Sequence, residues 1–257
     1  MMEPKQMILK PSIVMVPLVF SLCVSAFGQE SEKTIGEKAT DSIVERYRSA
    51  AIERWDADIS KLEKLDQTEN YPRDAILFIG SSSIRRWETI KEDMSPYIPI
   101  RRGYGGARFS DMAIFVDRLV TPHDPRAIVI FVANDISGSE RDKKPGEVLA
   151  LYGYIVGRIQ KAKPGVPVFC IAVTPTSSRF DVWPQIKKVN QLISKFSDER
   201  DGLHFIATDE AFLNKDGKPR DEYFVKDLLH LNEDGYDLWA KLIKDKLDET
   251  LVDSAQQ

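Results

Sequence analysis

A three-layer α/β/α domain built on a five-stranded parallel sheet is the architecture this sequence predicts, and two observations carry it. Short apolar runs recur along the chain at Ala75–Ile79, Tyr97–Ile100, Ala127–Ala133, Val166–Val173 and, more weakly, Leu203–Ala207. Stretches with helical apolar spacing alternate with them, at Ser110–Leu119, Gly146–Lys161, Val182–Phe196 and Glu233–Leu251. Strands without polar alternation are buried on both faces, and the helices between them supply crossovers in a parallel sheet.

The elements follow in order from the N-terminus. Lys5 and Lys10 precede an apolar run from Ile13 to Phe27, and Ala26-Phe27-Gly28 offers small residues before Gln29. This pattern predicts a cleavable signal peptide over residues 1–28 and a secreted or periplasmic protein, with no stable membrane association once the leader is gone. The run is short for a span and contains Pro17. The remaining residues, 29–257, suit a single domain. Thr40–Leu65 has no Gly or Pro and carries apolar residues at Ile43, Val44, Tyr47, Ala51, Trp55, Ile59 and Leu62, which predicts an N-terminal amphipathic helix at about 40–65. Each of the first three strands then ends in a chemically distinctive segment: Gly80-Ser81-Ser82-Ser83, Arg102-Gly103-Tyr104-Gly105-Gly106 and Asn134-Asp135. Ligand sites in open α/β sheets lie at the carboxyl ends of strands, so these segments are expected to share one site.

Composition narrows the function classes. The formal charge of the chain is −4. Two lysines and one glutamate lie in the leader, so its removal leaves −5. A mildly acidic chain without a basic cluster is a poor nucleic-acid binder. Of the two cysteines, Cys23 lies in the leader. Cys170, inside an apolar strand, reads as a small core residue. The glycine loop fails the Gly-x-Gly-x-x-Gly pattern because position 108 is Arg, which argues against a dinucleotide. No metal-ligand spacing appears, so neither metal nor organic cofactor is expected.

Histidine is scarce, which shortens the search for a general base working near neutral pH. His123 lies in Thr121-Pro122-His123-Asp124-Pro125, a turn expected at the surface. His204 has an Asp three residues earlier, Asp201, but enters a strand at its start, the wrong end for the site. His230 lies in Asp227-Leu228-Leu229-His230, in a loop before the last helix, with Asn232 a plausible helix cap. The spacing lets Asp227 fold back onto the imidazole and fix its tautomer, leaving the other ring nitrogen for a nucleophile. A serine after Gly80 sits near a helix start, where free amides favour developing negative charge. These residues alone do not choose among Ser81, Ser82 and Ser83. One amide of the Gly103, Gly105 and Gly106 loop and the Asn134 side chain are candidate oxyanion donors. Taken singly, a serine-rich cap, a glycine turn and a turn-forming Asn are the plainer readings of these segments; their order and co-occurrence favour ester hydrolysis through an acyl-enzyme.

The same segments carry a resemblance. Phe78-Ile79-Gly80-Ser81-Ser82-Ser83-Ile84-Arg85-Arg86-Trp87 resembles the first block of the SGNH hydrolases, the GDSL esterase/lipase family, in its secreted branch. Gly103–Gly106 is similar to the second block, Asn134-Asp135 to the end of the third, and Asp227–Asn232 with Gly235, Tyr236 and Trp239 to the fifth. The resemblance implies a flavodoxin-like SGNH fold with Ser82 as nucleophile and Asp227 and His230 completing the triad. It implies an oxyanion hole of the Ser82 and Gly106 amides and the Asn134 side chain. Two positions depart from the family pattern: Ser81 replaces the usual Asp, and Val132 replaces a Gly beside the oxyanion, where a larger side chain would narrow the acyl pocket. With no long apolar lid in the sequence, the expected substrate is a short acyl ester, acetyl on a saccharide foremost. Arg179 and Trp183, beside Phe180 after the fourth strand, are candidates for the sugar face. A lysophospholipase or thioesterase, or a binding protein that kept the fold without catalysis, are the competing expectations.

Overall fold

The computed structural model describes residues 40–253. The leader expected at 1–28 lies outside the described residues. A helical stretch at 40–45 leads through a two-residue turn into α1 (Arg48–Asp66), so the expected N-terminal helix is interrupted once. There follow β1 (Ile76–Gly80), α2 (Ser82–Arg86), α3 (Ile90–Asp93), β2 (Pro99–Gly103), α4 (Phe109–Val120), β3 (Ala127–Phe131), α5 (Pro145–Ala162) and β4 (Val168–Ile171). A 3₁₀ segment (Ser177–Val182) then leads into α6 (Trp183–Asp198), β5 (Leu203–Ile206) and α7 (Glu233–Asp253).

The five strands form one sheet in the order β2-β1-β3-β4-β5, and every pairing is parallel. The order reverses at β1, whose neighbours are β2 and β3, so a crevice opens where the connections leave in opposite directions. Although β1, β3 and β4 are almost wholly apolar, their residues alternate between two cores. Leu77, Ile79, Ile128, Ile130, Val168 and Cys170 face the layer of α1, α4, α5 and α6. Ile76, Phe78, Val129, Phe131, Phe169 and Ile171 face the layer of α2, α3 and α7. Cys170 is buried, and burial pushes its thiol pKa well up.

Two expectations need correction here. β2 lies two to three residues later than the apolar run at 97–100 because it runs on through Arg101 and Arg102 to Gly103. Arg102 is buried yet paired, donating to Asp66 at 2.7 Å and Glu69 at 2.9 Å, while Arg101 Nη1 donates to the Trp87 carbonyl at 2.8 Å along the sheet edge. His123 is not a surface turn residue: it is buried, with Nε2 3.2 Å from Asp66, in the same charged cluster. His204 lies in β5, stacked on Phe169.

Candidate active site

Ser82 opens α2 immediately after β1, and the turn that places it depends on Gly80. A Cβ at Gly80 would lie 2.1 Å from the Phe131 carbonyl oxygen, an impossible contact. The Ser81 amide donates to that same carbonyl at 2.9 Å, stitching the turn to β3. As a residue of the first helical turn, Ser82 presents an amide without an intrahelical partner.

The base arrives from the far end of the chain. His230 Nε2 lies 3.0 Å from Ser82 Oγ, and His230 Nδ1 lies 2.7 Å from Asp227 Oδ2. The other carboxylate oxygen, Oδ1, accepts the amides of Leu229 at 3.0 Å and His230 at 2.9 Å. Burial pushes the Asp227 carboxyl pKa up, but these amides and the imidazole outweigh it and hold the group at about 2. A carboxylate ionised at neutral pH accepts only, so the ring proton sits on Nδ1 and Nε2 is free to accept from Ser82. Leu228, between the two functional residues, adopts φ 52°, the left-handed region unusual for a leucine. Its amide donates to Val225 at 2.8 Å and its carbonyl accepts Ser178 at 3.2 Å. Asn232 caps α7 as expected, Oδ1 accepting the Gly235 amide at 2.9 Å.

The glycine loop after β2 is held at several points. Its Tyr104 amide donates to the Gly80 carbonyl at 3.0 Å. The Trp55 ring of α1 presses so closely on Gly105 that a Cβ there would lie 2.3 Å from it. Beyond the loop, Phe109 N donates at 2.8 Å to Asp135 Oδ2, and Asp135 Oδ1 lies 3.2 Å from Lys143 Nζ. Burial pushes the Asp135 carboxyl pKa up, and Lys143 and the Phe109 amide oppose it. Gly106 borders Asn134: a Cβ at Gly106 would lie 4.0 Å from Asn134 Nδ2. Nδ2 donates to the Ala107 carbonyl at 2.9 Å.

A cavity of about 30 Å³ opens beside Ser82, with Phe131, Val173, Phe224, Leu231 and Trp239 among its lining. Thr174 and Thr176 also line it, and their hydroxyls have no protein partner. Ser82, Asn134 and His230 border the same cavity, so the candidate nucleophile, the candidate base and one candidate oxyanion donor meet there, with Gly106 alongside Asn134.

Three expectations are corrected. Trp183 is not at a sugar face: it is buried in the α1/α4/α5/α6 core and does not line this cavity. Val132 points into the same core, opposite to Phe131, and lines a separate cavity of about 10 Å³, so it does not narrow the acyl side. Arg179 does border the site, but its guanidinium is turned onto the protein, Nη1 donating to the Ala133 carbonyl at 2.6 Å and Nη2 to Asn134 Oδ1 at 2.8 Å. Sequence pattern gives no sign of that contact, because an exposed-looking Arg after a strand carries no indication of where its fork lands. Among the described residues, no cluster of three or more His, Cys, Asp or Glu is placed to hold a metal ion.

The sequence matches the model of the GDSL-like lipase/acylhydrolase family over residues 41–238. No curated protein matches it. Solved structures share the fold at low identity. A protein from Bacteroides fragilis described as an acylhydrolase is 20% identical with a TM-score of 0.66, the match covering 77% of this chain and 98% of that one. A carbohydrate esterase family 3 protein from Talaromyces cellulolyticus is 17% identical, with a TM-score of 0.56 and coverage of 70% and 99%. A variant of an acetyl-xylooligosaccharide esterase from Geobacillus is 15% identical, with a TM-score of 0.56 and coverage of 68% and 94%.

Proposed function

Because the chain belongs to the GDSL-like lipase/acylhydrolase family and is a carboxylic ester hydrolase, we propose that it removes short acyl groups, acetyl foremost, from carbohydrate esters through an acyl-enzyme on Ser82. The observation that carries the proposal is the continuous hydrogen-bonded chain Ser82–His230–Asp227 opening onto a very small cavity.

Ser82 Oγ attacks the ester carbonyl carbon while His230 Nε2 takes its proton, and Asp227 stabilises the imidazolium through Nδ1. The carbonyl oxygen becomes an oxyanion facing the Ser82 and Gly106 amides and Asn134 Nδ2, each donor contributing about 3 kcal/mol in the transition state. Collapse expels the alcohol, protonated by His230. Water then attacks the acyl carbon, gives its proton to His230 and releases the acid, returning the proton to Ser82.

The small cavity supports a short acyl group. One water needs roughly 10–15 Å³ of such space, so a cavity of about 30 Å³ has room for about two waters, which favours a small acyl group such as acetyl. Phe131, Trp239, Phe224 and Leu231 are among the apolar side chains that line it. The saccharide half of the proposal is supported by the carbohydrate esterase and acetyl-xylooligosaccharide esterase that share this fold.

A panel of p-nitrophenyl esters from acetyl to dodecanoyl, with an acetylated xylo-oligosaccharide beside it, tests the proposal. Acetyl esters should exceed octanoyl in kcat/KM by at least about tenfold, and Ser82→Ala should remove about 10⁴-fold or more of the rate. Preference for long chains would point instead to a lysophospholipase or thioesterase, and identical rates for both proteins to a fold without catalysis.

A further inference from the structure

Asn134 donates to an oxyanion only if its carboxamide nitrogen faces the cavity. An amide can flip, and a flipped one would present an oxygen to the developing negative charge. Two fixed partners decide the orientation. A guanidinium has donors and no acceptor, so the atom it meets must be Oδ1, and Arg179 Nη2 meets that atom at 2.8 Å. On the other side stands the Ala107 carbonyl, which only accepts, and it takes Nδ2 at 2.9 Å. Both partners demand the same orientation. Nδ2 has two hydrogens; one goes to Ala107 and the second remains for the cavity beside Gly106.

Arg179 is itself tied down, its other arm donating to the Ala133 carbonyl at 2.6 Å, so the guanidinium bridges consecutive residues of the oxyanion segment. Burial of this guanidinium, with the Arg108 charge, pulls its pKa down, and the negative charge of Asp142 opposes them. The 177–182 segment that carries it also reaches the base: Ser178 N donates to the Leu228 carbonyl at 3.2 Å.

We propose that Arg179 is a positioning residue of the oxyanion hole, holding the Asn134 carboxamide nitrogen-inward, rather than a substrate contact. The inference rests on the esterase reading above. It predicts a loss in kcat, not in KM, and a loss that depends on Asn134.

The full-length protein and the variants Arg179→Met, Arg179→Lys, Asn134→Ala and Arg179→Met/Asn134→Ala are assayed on p-nitrophenyl acetate. Arg179→Met should lower kcat by about 10–100-fold with KM within about threefold, a loss smaller than or equal to that of the donor it orients. In the Asn134→Ala background the same change should cost no more than about threefold, the signature of two residues acting as one unit. Arg179→Lys should recover part of the loss, keeping the charge and one donor. A raised KM with kcat preserved, or the same factor lost with and without Asn134, would overturn the proposal. Circular dichroism checks folding, and where the Met variant does not fold, Arg179→Lys with and without Asn134→Ala makes the same comparison. Failure of the esterase reading would look different: wild type and Ser82→Ala would hydrolyse the ester equally, and the inference would fall with it.

Discussion

Asp227 shows how one side chain is made to do its work by its neighbours. Two amides and an imidazole converge on a carboxylate that remains fairly exposed, and its pKa settles at about 2. Two consequences follow. In the catalytic range the group stays ionised, so it orients His230 without titrating. Between the folded value and the ordinary unfolded value near 4, the unfolded chain binds the proton more readily, so stability rises with pH across that window. The Asp227 contribution is therefore full above about pH 4 and lost as pH falls through about 2. Asp227→Asn should lower kcat by about 10³-fold or more, because an amide cannot hold the same tautomer. Thermal melting of wild type and variant, repeated from pH 6 down to pH 2, should show a difference that shrinks toward acid. A difference that grows toward acid would contradict the assignment.

The pairing of α2 with α7 places nucleophile and base within proton-transfer reach although 148 residues separate them. An aromatic cluster makes that pairing. Trp87, just past α2, stacks on Tyr236 of α7 at 5.3 Å, and Trp239 meets Phe131 edge-on at 4.5 Å. The Tyr236 hydroxyl donates to the Ser83 carbonyl at 2.9 Å, tying the base-bearing end of the chain to the nucleophile's own turn. Trp239 is fully buried and also lines the cavity beside Ser82, so under the proposed function stability and acyl-length selection share one side chain. Trp239→Ala should cost about 3–5 kcal/mol and enlarge the cavity. The expected reading is a melting temperature lower by roughly 6–20 °C, at 2–4 °C per kcal/mol for a domain of this size, together with a shift of preference from acetyl toward butyryl and longer esters. An unchanged acyl profile in a destabilised variant would show that the cavity is bounded elsewhere.

Across the whole molecule, the parts legible in the sequence are those governed by local pattern. The strands β1, β3 and β4 announce themselves as unbroken apolar runs because both faces are buried, and Asp227-x-x-His230 announces a base with its carboxylate. What escaped pattern depends on partners distant in sequence. Arg102 reads as a polar break in a strand until Asp66 and Glu69 pair with it in the interior. His123 reads as a turn residue until the same cluster encloses it. Trp183 and Val132 each face the core rather than the site; for Val132, next to the end of β3, a one-residue step along extended backbone reverses the side, whereas Trp183 opens α6 and is placed by how that helix packs. Arg179 carries no sequence sign of its hold on Asn134, since the two meet only through tertiary packing at the carboxyl ends of the strands. The candidate site thus sits at the switch point of a 2-1-3-4-5 sheet, where the start of α2 brings Ser82, the loop after β2 brings Gly106, and the loop before the last helix brings His230.

Diethyl p-nitrophenyl phosphate, an organophosphate that traps activated serines, interrogates that convergence at a single atom. Intact-mass and peptide-mapping spectrometry should find one diethylphosphoryl group per chain, on Ser82, with labelling greatly slowed in His230→Ala and abolished in Ser82→Ala. Modification of another residue, or labelling at an equal rate when His230 is removed, would contradict a nucleophile at position 82 activated by the imidazole at 230.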